Sequence, residues 1–361
     1  NICVAGTHGK TTISTMVAHL LRHTGYGCNA FLGGVSANYN TNFWASERNV
    51  CVIEADEYDR SFLKLSPDIA VVTSMDPDHL DIYHTAEAME QAFVDFAGNT
   101  KNGGLLLYKH GLDRLNEAHV AHQMTYDRYA PNSDGGTNGT LNDKTPDVYT
   151  RNVSTQAYGY RFDVVIGGQV IEQLELNVGG LHNIENMTVA ITIGHLLKIG
   201  KDLITDAVKA YRGVKRRFEF VLKGEGTPVL IDDYAHHPGE LEALLKSVRD
   251  LMPGRRVLVI FQPHLYSRTR DLAEGFARSL ELADEAVLLP IYPARELPME
   301  GVSSTMIAEK MKGAILLEKD ELQKWLAAHD NDVVVTAGAG DIDALVPSIK
   351  TILETQTVNR S

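Results

Sequence analysis

The chain has 361 residues, 44% hydrophobic and 22% charged, with 34 Lys and Arg against 47 Asp and Glu for a net charge of −13. This size and composition predict two soluble globular domains with sizeable cores. The acidic balance argues against a nucleic-acid partner, no apolar run reaches the length of a membrane span, and no secretory signal is visible.

Asn1–Ala5 reads as a buried strand. The chain opens there without a methionine, which suggests a fragment whose N-terminal part is missing. Cys3, Cys28 and Cys51 lack metal-binding spacing and suit reduced thiols in a cytoplasmic protein. "AGTHGKTT", Ala5–Thr12, follows the strand. After it Ile13, Met16, Val17, Leu20 and Leu21 recur at helical spacing, with Gly25 as a stop. A loop between a strand and a helix N-terminus favours an anion. A full P-loop carries glycine at the position that is Val4 here. Gly6 and Gly9 still let the backbone approach a phosphate, Lys10 would neutralise it, and the Thr11 hydroxyl would reach Mg²⁺. The plain alternative is a strand–helix turn with an incidental lysine.

Strands are predicted at Val50–Ile53 and Ile69–Thr73, and a helix from about Thr85 with Met89, Phe93 and Phe96 on one side. Both strands run into acidic loops. "VIEADEYDRSF" brings Glu54, Asp56, Glu57 and Asp59, which repel one another and any phosphate. A divalent cation removes that conflict, and Mg²⁺ takes only one or two protein carboxylates. "SMDPDHLDIYH" brings Asp76, Asp78, His79 and Asp81 as candidate metal or phosphate contacts. Solvated acidic turns and a structural histidine are the alternatives. Ala130–Asp147 is polar and reads as a surface excursion. Strand patterns continue to about Asn177, and "GLHNIEN" opens a helix. Asn183 and Asn186 face the same way there and could read the edge of a base. Capping by Asn183 is the alternative.

From about Leu222 the rhythm restarts. "PVLIDDYAHH", "RRVLVIFQPH", "DEAVLLPIYP", "GAILLE" and "DVVVTAGAGD" read as strands, most of them separated by helical patterns. This alternation predicts a second parallel sheet covered by helices, so the domains are set at 1–221 and 222–361. Ligands sit at the carboxyl ends of such strands, where Asp233, His236, His237, His264 and Arg295 fall. Arg216 and Arg217 could clamp phosphate, and Asp232 or Asp233 could accept from ribose hydroxyls. His264, Arg268 and Arg270 could hold a carboxylate, or form a basic turn pairing with Asp271 and Glu274. "TAGAGD" is half a dinucleotide fingerprint, and a tight strand–helix turn explains it.

Taken in order, "GTHGKTT", "EADEYD", "DPDHLD", "GLHNIEN", "GVKRRFE", "DDYAHHP", "FQPHLYSRTRDL", "YPARE" and "GAGDI" resemble the Mur ligases over nearly the whole chain. "DDYAHHP" with "FQPHLYSRTRDL" resembles the alanine-adding branch, and the shortened glycine loop is that family's own variant. The resemblance implies an α/β fold: a central P-loop-type ATPase domain with a parallel-rich sheet, and a C-terminal Rossmann-like α/β domain. In the family a UDP-sugar-binding domain precedes them. It implies cytoplasmic, ATP-dependent ligation of L-alanine to the lactyl carboxylate of UDP-N-acetylmuramate through an acyl phosphate, with Mg²⁺ or Mn²⁺.

By the same resemblance Gly6, Thr7, His8, Gly9, Lys10, Thr11 and Thr12 cradle the nucleotide. Thr11, Glu54 and His79 hold the metal. Asn183 and Asn186 lie on the adenine side, Arg217 on a phosphate and Asp233 on the ribose. His237, His264 and Arg268 surround the incoming amino acid, and Lys10, His79, His237 and Arg268 form the catalytic set. Many alanine-adding members carry arginine where this chain has Leu265. Two alternatives stay open: another ligase of the same fold, such as one that extends folate with glutamate, and a P-loop ATPase acting as a switch.

Overall fold

Strand β1, Ile2–Ala5, is buried along its whole length and has parallel partners on both sides. The computed structural model describes residues 1–77, 80–130 and 145–360. It divides into two compact units, Asn1–Val214 and Lys215–Ser361. In the first unit β1 is followed by α1 Lys10–His23, β2 Asn29–Ser36, β3 Thr41–Trp44, β4 Cys51–Glu54, β5 Ile69–Val72, α2 Leu80–Tyr83 and α3 Ala86–Gly98. Then come β6 Leu105–Lys109, β7 His122–Tyr129, β8 Val148–Gln156, β9 Gly159–Ile166, β10 Gln169–Leu176, α4 His182–Leu196 and α5 Lys201–Ala210.

Among the described residues these strands form one ten-stranded sheet in the order β10-β9-β8-β7-β6-β5-β1-β4-β2-β3. Neighbours from β2 through β8 pair in parallel, while β3 at one end and β9 and β10 at the other are antiparallel. The central strands are short apolar runs because helices cover both faces. On α1 the predicted stripe of Ile13, Met16, Val17, Leu20 and Leu21 is buried, and the helix ends before Gly25 at φ 74°. Phe62 and α3's Met89, Phe93 and Phe96 form a separate core cluster with β1, β5 and β6 residues. The Phe62 ring meets Phe93 edge-on at 5.5 Å and stacks on Phe96 at 5.3 Å. Of the polar stretch 130–147, positions 131–144 lie outside the described residues, as do Asp78 and His79.

The second unit holds β11 Glu219–Leu222, β12 Val229–Asp233, α6 Pro238–Leu251, β13 Val257–Phe261, α7 Tyr266–Leu280 and β14 Glu285–Leu288. It continues with α8 Thr305–Ala308, β15 Ile315–Leu316, α9 Lys319–Ala328, β16 Val333–Ala337 and α10 Val346–Arg360. The order is β11-β12-β16-β13-β14-β15, parallel except for β11. The chain thus returns at its end to insert β16 between β12 and β13. The division expected at 221/222 cuts β11, which pairs with β12 and belongs to this unit. No helix among the described residues is long and apolar enough to cross a membrane.

Candidate active site

The loop between β1 and α1 is shaped by the neighbouring strand end. Gly6 has φ 129°, and a Cβ there would lie 2.0 Å from Thr73 Oγ1 and 2.8 Å from the Ser74 nitrogen, so only glycine fits. Thr73 Oγ1 donates to the His8 carbonyl, and Ser74 Oγ accepts from His8 N at 2.9 Å and meets Thr7 Oγ1 at 2.8 Å. These two hydroxyls, directly after β5, pin the loop, and the sequence reading missed them. Gly9 is the N-cap of α1, with no side-chain cap and no acidic residue in the first turn. The first N–H groups of that helix are therefore open to an anion. His8 is exposed and Thr12 is half-buried.

Lys10 does not project freely. Its ammonium donates to Gly6 O at 2.8 Å and to Glu57 Oε1 at 2.7 Å. The Thr11 hydroxyl donates to Glu54 Oε1 at 2.8 Å, and Glu54 Oε2 accepts from Gly33 N at 2.7 Å. The four carboxylates after β4 thus take separate tasks. Glu54 meets Thr11 and Glu57 meets Lys10, whereas Asp56 accepts from Tyr58 N at 3.0 Å and Asp59 from Ser61 N at 2.9 Å, both as exposed turn caps. Asp76 is also exposed, with His8 Nε2 3.5 Å from its carboxylate. His79 lies outside the described residues, so the described oxygen donors that come together are Thr11 and Glu54.

At the start of α4, Asn183 does not cap the helix, whose N-cap is Leu181. Its amide donates to Gly179 O at 2.6 Å and its Oδ1 accepts from Asn186 at 3.1 Å. Asn186 Oδ1 lies 3.2 Å from where a Cβ on Gly9 would stand, which puts this residue beside the phosphate loop.

In the second unit the polar residues gather after β12, β13 and β14. Arg216 is not available as a phosphate clamp: it donates to the carbonyls of Gly338 and Gly340 and pairs with Asp232 at 3.4 Å and Asp343 at 3.6 Å. Asp232 is 2% exposed and accepts from the Thr336 hydroxyl at 2.6 Å, which removes it as a ribose acceptor. Arg217 and Asp233 are the more exposed members of their pairs. Arg217 is exposed. Asp233 accepts from Phe218 N at 2.6 Å and Ala235 N at 2.8 Å, and burial pushes its carboxyl up to about 6. His237 is exposed at the N-cap of α6, where Nδ1 accepts from Gly239 N at 3.4 Å.

After β13, Arg268 Nη1 lies 3.4 Å from His264 Nδ1. A guanidinium can only donate, so this ring nitrogen accepts and the imidazole is neutral. Burial, then the Arg268 charge, then His236 hold His264 below the ordinary histidine value, which agrees. The His264 ring stacks on Tyr292 at 5.7 Å and meets His236 edge-on at 6.1 Å. Tyr292 went unnoticed in the sequence because only the β13–β14 pairing carries it there. The basic-turn alternative holds for Arg270, bound to Asp271 at 2.7 Å, and not for Arg268. The turn at Gly340 is a packing device: a Cβ there would meet Gln262 Oε1 at 2.5 Å and Tyr292 at 2.6 Å.

Two family models match the chain, the Mur ligase middle domain over residues 4–194 and the Mur ligase, glutamate ligase domain over residues 216–340. The chain is 45% identical over 358 residues to the UDP-N-acetylmuramate–L-alanine ligase of Parabacteroides distasonis, spanning 98% of this chain and 74% of that protein. It is 43% identical over 360 residues to the ligase of the same name from Porphyromonas gingivalis, spanning 98% and 76%. Among solved structures it resembles the UDP-N-acetylmuramate–alanine ligase of Thermotoga maritima, with a TM-score of 0.78 and 27% identity over 99% of this chain and 75% of that one. Folylpolyglutamate synthase from Thermotoga maritima shares the fold at a TM-score of 0.71 and 17% identity, over 98% and 89% of the two chains.

Proposed function

This chain belongs to the Mur ligase family, and we propose that it uses ATP to join L-alanine to the lactyl carboxylate of UDP-N-acetylmuramate, a step in peptidoglycan precursor synthesis. The observation that carries the nucleotide half is the glycine loop, with Lys10 held at its floor and a hydroxyl and a carboxylate 2.8 Å apart beside it. The amino-acid half rests on the alanine ligases among its relatives and on the His264–Arg268 pair.

Thr11 and Glu54 are hard oxygen donors, and Mg²⁺ takes few such ligands from protein while keeping water and phosphate for the rest. When bound, the cation would spread positive charge over the phosphates. Lys10 adds an ammonium N–H donor at the floor of the loop, and the open first turn of α1 adds backbone N–H donors. The reacting carboxylate and the γ-phosphate are both anions, so neutralising their charge lowers the barrier to attack. ADP leaves and an acyl phosphate remains. The α-amine of alanine attacks the acyl carbon and expels phosphate, so no covalent nucleophile from the protein is needed. In this reading Arg268, steadied by neutral His264, binds the alanine carboxylate through its planar fork. With leucine at position 265, Arg268 carries that contact without an adjacent arginine.

The test is ADP release by the protein that carries this chain, with ATP, UDP-N-acetylmuramate and L-alanine together and with each omitted. Release that needs all three is expected. Release that ignores both acceptors would identify an ATPase switch instead, and release driven by glutamate with folate would identify the other ligase class.

A further inference from the structure

Glu57 is 1% exposed, yet it is a carboxylate 2.7 Å from the Lys10 ammonium. Its backbone is anchored as well: the buried Tyr83 hydroxyl donates to the Glu57 carbonyl at 2.6 Å, and Arg60 N donates to it at 3.0 Å. Burial and anchoring together hold this carboxylate in one place. An ammonium has three N–H donors. Among the described residues Gly6 O and Glu57 take two of them, which leaves one for a ligand in the loop.

We propose that Glu57 is a positioning residue for Lys10, an inference that rests on the ATP reading above. Its carboxylate pins the ammonium against the floor of the loop, aims the remaining N–H at the nucleotide, and cancels the lysine charge in the resting site. A pinned donor needs no rearrangement when charge develops on the transferring phosphoryl group. A cancelled charge also keeps the ground-state grip on ATP below what an unpaired lysine would give, and tight ground-state binding does not raise turnover.

Calorimetry of Mg·ATP and Mg·ADP binding to the wild-type chain, Glu57→Gln and Glu57→Asp tests this, with thermal melts to establish folding. In Glu57→Gln the lysine charge is unopposed, so Mg·ATP should bind about tenfold more tightly and Mg·ADP should gain less. In Glu57→Asp the carboxylate is drawn back, and the preference for ATP over ADP should rise by about threefold, between the other two. Unchanged or weaker Mg·ATP binding by folded Glu57→Gln overturns the proposal, and the weaker result would make Glu57 part of the cation's surroundings. If Glu57→Gln does not fold, an unchanged ATP preference in Glu57→Asp overturns it in the same way. A wild-type chain that binds neither nucleotide overturns the ATP reading itself, which is a separate outcome.

Discussion

An alanine at Gly33 would place its Cβ 2.4 Å from Glu54 Oε2, the oxygen that now accepts the Gly33 N–H. The carboxylate would have to leave Thr11, and with it the place proposed for Glu54 beside a cation. We expect Gly33→Ala to raise the Mg²⁺ midpoint for ADP formation while leaving the fold intact; an unchanged midpoint in a metal titration would remove Glu54 from the metal site. Lys10→Ala should abolish ligation; because it strands the buried Glu57 carboxylate at the start of α1, a thermal melt must establish folding, and near-normal turnover would end the phosphate assignment. Arg268→Ala should raise the KM for L-alanine by roughly ten- to a hundredfold, the loss of one charged hydrogen bond, and change the KM for ATP far less. Equal changes in both would contradict the carboxylate role.

Helix α6 begins where the candidate chemistry is densest. His237 supplies its N-cap, Glu240 Oε2 accepts in return from His237 N at 3.1 Å, and Pro238 follows at the first helical position. Proline is pre-organised there, and the capping pair satisfies N–H groups that the helix leaves open. The 3.4 Å contact from Gly239 N is long, so the cap is worth about 0.5–1 kcal/mol. His237→Ala should lose that amount in urea unfolding, and His237→Ser should restore it. If His237 also works in the reaction, turnover stays low in both variants; turnover that returns with the serine cap would limit His237 to holding the helix.

Across the molecule as a whole, stability should carry the mark of two adjacent acids, Asp232 and Asp233, both pushed up by burial. Burial pushes Asp232 up to about 6, against the pull of Thr336 and Arg216, while an unfolded aspartate titrates near 3.9. The folded state therefore takes this proton more readily, so stability rises as pH falls from about 6 to about 4, and the cost of the charge is fully present above pH 6. His264 acts in the opposite direction, since a ring held below its ordinary value resists the proton in the folded state. Comparing an Asp232 variant with the wild type isolates the share of Asp232 from those of Asp233 and His264. Asp232→Asn should exceed the wild type by roughly 2 kcal/mol at pH 7.5, with the advantage gone near pH 4. Parallel stability curves for the two proteins from pH 4 to 8 would refute the assignment.

The sequence alone determined the repeating strand–helix rhythm, the loop from Gly6 to Thr12 and the strand ends that bear Asp233 and His264, because each depends on local spacing and on where apolar runs stop. It could not determine which neighbour each polar residue would use. Arg216 and Arg217 are adjacent and alike, but one turns inward to Asp232 and the Gly338 carbonyl while the other stays exposed. Glu54 and Glu57 stand in one acidic run, yet one meets Thr11 and the other Lys10. The insertion of β16 between β12 and β13, and the approach of Gly33 to Glu54, join positions far apart in the chain. Such choices are made by parallel pairing and by the close packing of strand ends, which bring together residues that no local pattern connects, and only the tertiary structure decided them.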